Sequence, residues 1–417
     1  MTQTPPAQTP FRLFEPVQLG PKTLRNRTIR AAAFEGMAPQ HKPSAALIDY
    51  HRVVAAGGVG MSTVAYAAVE RSGLSFPHQL WLRREILAEL RALTTAIHEG
   101  GALASIQIGH CGNMAKSSVI GERPLAPSAR FNLYGPTWPR AMNRSDIARV
   151  VQSFASAVQI AREAGFDAVE VHAGHGYLIS QFLSPLTNHR SDEYGGSLFH
   201  RMRFLQEVIQ AVIQAAQRDL AVIVKMNLRD GVPGGQELED AIEIARLLES
   251  EGADALLLSG GFVSRAPMYI MRGEMPTDVM GRLIENPLLR LMIGAVGKAL
   301  IPTLPYRDNY FLEDAKAVRA AVRLPLIYVG GAVSRTSLEE VLGAGFDAVA
   351  MARALIADPL FVHKLAQEEH AQSSCDHCNY CAARIYTTEM ACYQRQAPEP
   401  ALRSICDKRG WHVRPQS

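Results

Sequence analysis

The chain of 417 residues lacks any marked excess of charge, carrying a formal net charge of only +3. So small an excess argues against the basic faces that bind nucleic acid or acidic membrane surfaces. No apolar run approaches the ~20 residues needed to span a bilayer. The opening MTQTPPAQTP lacks the basic and apolar stretches of a signal peptide and reads as a disordered lead over residues 1–10. The expectation is a cytoplasmic protein whose partner is a small-molecule substrate, with no nucleic acid and no membrane; a homo-oligomer is left open. No Gly-x-Gly-x-x-Gly follows an early strand, which lowers an open dinucleotide-binding sheet. Cysteine is scarce, six residues in all. Cys111 stands alone, Cys375, Cys378, Cys381 and Cys392 cluster near the end, and Cys406 follows. In a cytosolic chain such a cluster reads as metal-binding or redox-active sooner than as a disulfide framework.

What is present is an ordinary globular composition, 47% hydrophobic and 20% charged, with a recurring local pattern. Ala164-Gly165-Phe166-Asp167-Ala168-Val169 matches Ala344-Gly345-Phe346-Asp347-Ala348-Val349, and Glu251-Gly252-Ala253-Asp254-Ala255-Leu256 is a looser copy. Each follows a helical pattern and precedes a short apolar run. Before the first copy, Ile147, Val151, Phe154, Val158 and Ala161 fall on one helical stripe. The glycine then supplies the left-handed position that ends a helix. The apolar runs are too short for helices and read as strands buried on both faces. Strands are predicted at roughly 28–33, 59–64, 102–108, 168–172, 221–226, 255–259, 325–329 and 348–351, with helical stripes between most of them. Eight strands alternating with helices predict a parallel (β/α)8 TIM barrel over residues 11–360. Two regions depart from the repeat: a long excursion after strand six, about 260–310, and a Cys-containing C-terminal extension, 361–417.

Barrel enzymes place their sites at the C-terminal ends of the strands. Polar groups recur there. Gln107 ends strand three, His172 strand four and Lys225 strand five. Gly330 and Gly331 follow strand seven, and Arg353 follows strand eight. Close backbone N–H groups and a bidentate arginine suit a phosphate. Lys225 suits an electron-rich ring and Gln107 its hydrogen-bonding edge, so a phosphorylated planar cofactor is reachable from placement alone. Strand four runs into His172, His175 and Tyr177 across a glycine bend, which suits holding an oxygen and delivering a proton. A metal pair is disfavoured because His-x-x-His on a strand-to-loop bend lacks a shared helical face. A purely structural histidine pair stays open. Arg190, Asp192 and Glu193, in the loop beyond, read as charges that lock that loop.

The stretch HAGHGYLISQFLSPLTNHRSDEYGGSLFHRMRF, residues 172–204, resembles the signature of the old yellow enzyme family of FMN-dependent oxidoreductases. Leu24-Arg25-Asn26-Arg27, Gln107 to Gly112, Pro139 to Met142 and Met351 to Pro359 add to the resemblance, which covers about residues 11–393. It is similar to the larger bacterial branch that includes 2,4-dienoyl-CoA reductase and trimethylamine dehydrogenase. The resemblance implies FMN at the barrel mouth, reduced by NAD(P)H. Gln107 would meet the flavin's pyrimidine edge and Lys225 would place positive charge beside N1 and O2. Ala32, Ala33 and Ala65 would flank the ring. Gly330, Gly331, Ala352 and Arg353 would hold the phosphate. His172 and His175 would bind a carbonyl oxygen, and Tyr177 would donate the proton.

The activity this implies is reduction of the C=C bond of an α,β-unsaturated carbonyl. The alternative is oxidation or demethylation of an amine or betaine, with Arg265 and Tyr269 of the excursion binding a carboxylate. The family usually carries a polar residue after the first strand, where this chain has Ala32-Ala33-Phe34. It also usually carries arginine where this chain has Lys225. The pattern C-x2-C-x2-C-x10-C, with Asn379 after the second cysteine, resembles the [4Fe–4S] site of larger relatives; zinc or free thiols are the alternatives.

Overall fold

In the computed structural model, residues 11–132, 137–284, 287–385 and 388–414 are described; the lead expected at 1–10 lies outside them. Eight parallel strands close into a barrel. They are β1 (Thr28–Arg30), β2 (Met61–Ala68), β3 (Leu103–Gly109), β4 (Ala168–Ala173), β5 (Ala221–Asn227), β6 (Ala255–Ser259), β7 (Leu326–Val329) and β8 (Ala348–Met351). Each pairs with the next in sequence, and β8 pairs with β1 through Val349 and Thr28 to complete the ring. All eight strand expectations are met within a few residues. Among the described residues no helix is long and apolar enough to cross a membrane.

The recurring Gly-x-Asp pattern turns out to stitch the N-terminal rim. The helices Arg144–Glu163, Leu238–Glu251 and Arg335–Gly343 end in glycines with left-handed φ of 85°, 90° and 91°. The aspartate two residues on then clasps the preceding strand. Asp167 donates its N–H to Ala104 O at 2.7 Å and accepts from Ala104 N at 2.9 Å through its carboxylate. Asp254 does the same with Val222, and Asp347 with Leu326. Each copy therefore ends a helix and fixes the register of the strand that follows.

Small and branched aliphatic side chains fill the barrel, among them Ile29, Ala168, Ile223, Leu257, Ile327 and Ala350. A hairpin, Val17–Leu19 with Lys22–Leu24, packs Val17, Leu19 and Leu24 onto this interior and closes the bottom. The excursion after β6 carries the helices Pro267–Met271, Thr277–Leu283 and Pro287–Leu300. It shares a separate apolar core with the C-terminal extension, in which Met268, Met275 and Val279 meet Tyr380, Leu402 and Trp411. The two irregular regions thus cover each other. Arg190 binds Asp192 at 2.5 Å and the carbonyls of Pro127 and Met142, so that loop is locked by charge-assisted bonds as expected.

Candidate active site

The strand-four turn is built by two left-handed residues. His175 has φ of 59° and Gly176 of 78°. A side chain at Gly176 would place its Cβ 2.4 Å from the Phe262 ring, so only glycine fits. For a histidine the left-handed region costs about 1–3 kcal/mol, and the surroundings hold it there. His175 donates its N–H to Asn227 Oδ1 at 2.9 Å, and its carbonyl accepts from Val263 N at 3.1 Å. The turn brings three rings together. His172 lies 5.0 Å from His175 edge to face and 4.4 Å from Tyr177, centroid to centroid. Tyr66 closes the group at 4.9 Å from Tyr177. A register shift in β2 between Val64 and Ala67 accompanies that placement. Tyr66 is anchored by its hydroxyl to Ser75 at 2.6 Å, and burial raises its pKa well above the ordinary value.

Both histidines are neutral. Burial, then His175 and Lys225, push His172 well below its ordinary value; burial and Lys225 bring His175 down to about 3. Gly174 N donates to His172 Nδ1 at 3.4 Å, which leaves the proton on Nε2. His175 Nε2 is 2.7 Å from Ser259 Oγ. The unfolded histidine takes up a proton near pH 6.5 and the folded one only near 3, so stability is lost as pH falls between those values. Acidification from pH 7 to 5 should remove about 1–2 kcal/mol on account of His175. Urea unfolding at the two pH values should show a smaller loss in His175→Gln than in the unsubstituted protein.

These rings border a cavity of about 240 Å³ at the C-terminal mouth of the barrel. Ala32, Ala33, Gln107, His172, His175, Tyr177, Lys225, Ala352 and Arg353 all line it. Phe34 lies there too, stacked on Phe76 at 5.1 Å, so the usual polar position after β1 is here an aromatic wall. The floor carries Lys225, 2% exposed, bonded at 2.8 Å to Glu170. Gln107 Nε2 donates to the same carboxylate oxygen at 2.5 Å. At the far end Arg353 Nη1 donates to Asn379 Oδ1 at 2.8 Å, and the guanidinium has no carboxylate partner among the described residues.

Five expected residues do not line the cavity. Ala65 is buried behind the wall, its N–H donated to the Glu35 carboxylate at 3.1 Å. Gly330 and Gly331 have φ of 146° and 85°, and Phe311 and Tyr310 fill the side-chain direction at each: an added Cβ would come within 2.8 and 2.9 Å of those rings. Arg265 is exposed, and Tyr269 packs on Gly231, Gly261 and Phe311 instead of the cavity. Their placement gives no support to a carboxylate seat. The sequence alone did not single out Glu170, Tyr66, Phe76 or Ser259, and it placed Asn379 with the cysteines, not with Arg353. A signal existed for Glu170, which alternates with His172 and so shares its inward face.

The cavity fits FMN on its own features: apolar walls for a flat ring, a polar edge at Gln107 and Lys225, and a carboxylate-free arginine for an anionic tail. The cysteines fit less well. Cys375, Cys378, Cys381 and Cys392 line a separate space of about 10 Å³ beside Arg353 and Asn379, room for roughly one water. They are free thiols, and among the described residues no three ligand side chains are grouped to hold a metal ion. Burial pushes Cys381 up to about 12 and Cys392 to about 11. As placed they form neither an iron–sulfur nor a zinc cage.

A closed barrel with this mouth defines a flavin-dependent oxidoreductase. The chain belongs to the NADH:flavin oxidoreductase / NADH oxidase family, whose pattern it matches over residues 12–265; this is the old yellow enzyme family. It is 42% identical to the 4,4'-dithiodibutanoate disulfide reductase of Rhodococcus erythropolis, over 91% of this chain and 94% of that one. It is 31% identical to the NADPH dehydrogenase of Bacillus subtilis, over 77% of this chain and 99% of that one. Its fold matches the old yellow enzyme homologue of Zymomonas mobilis with a TM-score of 0.70 and 24% identity, over 88% and 96% of the two chains. The chain spans about half the length of other curated relatives it matches, 50% and 52% of two of them. The family implies FMN as cofactor and NAD(P)H as reductant.

Proposed function

We propose that the protein is an FMN-dependent, NAD(P)H-dependent reductase that saturates the C=C bond of α,β-unsaturated carbonyl compounds. The observation that carries this reading is the pair of neutral imidazoles beside Tyr177 at the cavity wall. When bound, FMN supplies hydride transfer, accepting from the nicotinamide and donating to the substrate. The protein does the rest. Gln107 and Lys225 hold the ring's polar edge and Arg353 the phosphate. His172, with its proton on Nε2, donates a hydrogen bond to the substrate's carbonyl oxygen. His175, steadied by Ser259, stands beside it as the second donor. Because neither ring is charged, each polarises the carbonyl without protonating it. Tyr177 then delivers the proton to the α carbon. Phe34, Phe76 and Tyr66 exclude water from that end.

A second reading is favoured by the 42% identical relative: reduction of an organic disulfide. Hydride would then reach one sulfur, and the same histidines and Tyr177 would stand beside the departing thiolate. One experiment separates the two. The protein is reduced anaerobically with NAD(P)H, and its flavin spectrum is followed after adding cyclohexenone or 4,4'-dithiodibutanoate. Rapid return of the oxidised spectrum with the enone supports the first reading. Return with the disulfide alone overturns it in favour of the second. Bleaching by an N-methylated amine without nicotinamide would sink both. Iron and zinc analysis of the same sample reports on the four thiols.

A further inference from the structure

A carboxylate that the chemistry above does not use lies beneath the cavity. Glu170 sits on β4 two residues before His172 and is 1% exposed. Its Oε1 accepts from Lys225 Nζ at 2.8 Å and from Gln107 Nε2 at 2.5 Å. Its Oε2 has no hydrogen-bond partner among the described residues. Lys225 and Gln107 line the cavity and Glu170 does not. The carboxylate therefore grips both floor groups from below.

Two consequences follow from elementary chemistry. An ionised carboxylate only accepts hydrogen bonds, so the Gln107 amide must turn its NH₂ end down. Its carbonyl is left for a donor in the cavity, such as the imide N–H of a flavin. Lys225, for its part, does not act as a lone ammonium. In a buried, weakly screened site the field at the floor is that of an ion pair.

We propose that Glu170 is a positioning residue that sets the polarity of the cofactor floor, turning the Gln107 acceptor upward and offsetting Lys225 so that the flavin's reduction potential is lowered. The inference rests on the reading that FMN lies over Gln107 and Lys225. Removing the negative charge should leave Lys225 free to stabilise the electron-rich reduced ring.

The test is the flavin midpoint potential of Glu170→Gln, measured anaerobically by dye equilibration with no substrate present. The oxidised-to-reduced equilibrium is expected to shift about tenfold toward reduced, about 30 mV upward for a two-electron couple. The double variant Glu170→Gln with Lys225→Met, which removes both charges, should return toward the starting potential. Where Glu170→Gln does not fold, Glu170→Asp draws the carboxylate back from Gln107 and should move the potential the same way by less. A flavin-loaded variant with unchanged potential overturns the proposal, even if its melting temperature falls. A protein that binds no FMN at all overturns the cofactor reading beneath it instead.

Discussion

Replacing Tyr177 by phenylalanine should slow oxidation of the reduced protein by an enone at least about 100-fold, the usual worth of a positioned proton donor. The change keeps the ring and removes only the hydroxyl. The contacts at 4.4 Å to His172 and 4.9 Å to Tyr66 should survive. Reduction of the flavin by NAD(P)H moves a hydride without calling on a tyrosine proton, so its rate should stay within about twofold. Stopped-flow measurement of the two half-reactions separates these effects. A wild-type oxidative rate would end the proton-donor role of Tyr177. Equal losses in both halves would point to damage of the cavity as a whole.

The second large effect concerns stability. Lys225→Met should cost about 3–5 kcal/mol, the range for breaking a buried ion pair by removing one partner. Lys225 and Glu170 are 2% and 1% exposed, so the orphaned carboxylate would gain no solvent. Adding Glu170→Gln should recover most of the loss, because two neutral side chains of similar size leave no stranded charge. Chemical unfolding of the single and double variants measures the coupling. Strictly additive losses would show that the pair is not an energetic unit.

Much of the architecture was legible because it rests on local rules. The glycines at 165, 252 and 345 end helices whatever lies around them, and the apolar runs beyond are too short to be anything but strands. The alternation of strands and helices then leaves a parallel barrel as the economical closure. Gln107, His172, Lys225 and Arg353 were found the same way, since each ends or follows a strand. The repeat is visible in the sequence, but the clasp made by Asp167, Asp254 and Asp347 is not. Its partners lie on a neighbouring strand, more than 20 residues away in each case.

Other features depended on contacts no local rule supplies. At Gly330 and Gly331 the side-chain direction is filled by Phe311 and Tyr310, rings that arrive from the end of the excursion and the segment after it, so tertiary packing as well as the turn requires glycine there. Arg265 and Tyr269 share that excursion, yet its path turns them from the cavity. Cys375, Cys378, Cys381 and Cys392 have a ligand-like spacing. Spacing constrains the chain and not the directions of four thiols.

The sequence by itself determined the barrel, its order of strands and the residues at its rim, because strand ends and helix ends are written in a few neighbouring side chains. Tertiary structure decided what those residues do to one another. Only the closed barrel brings Glu170 under Lys225 and Gln107, sets two histidines neutral by burying them beside a cation, and lines the same cavity with Tyr66, Phe34 and Phe76. Charge state, burial and facing are properties of the packed whole, since the dielectric around a group is set by residues far from it in the chain.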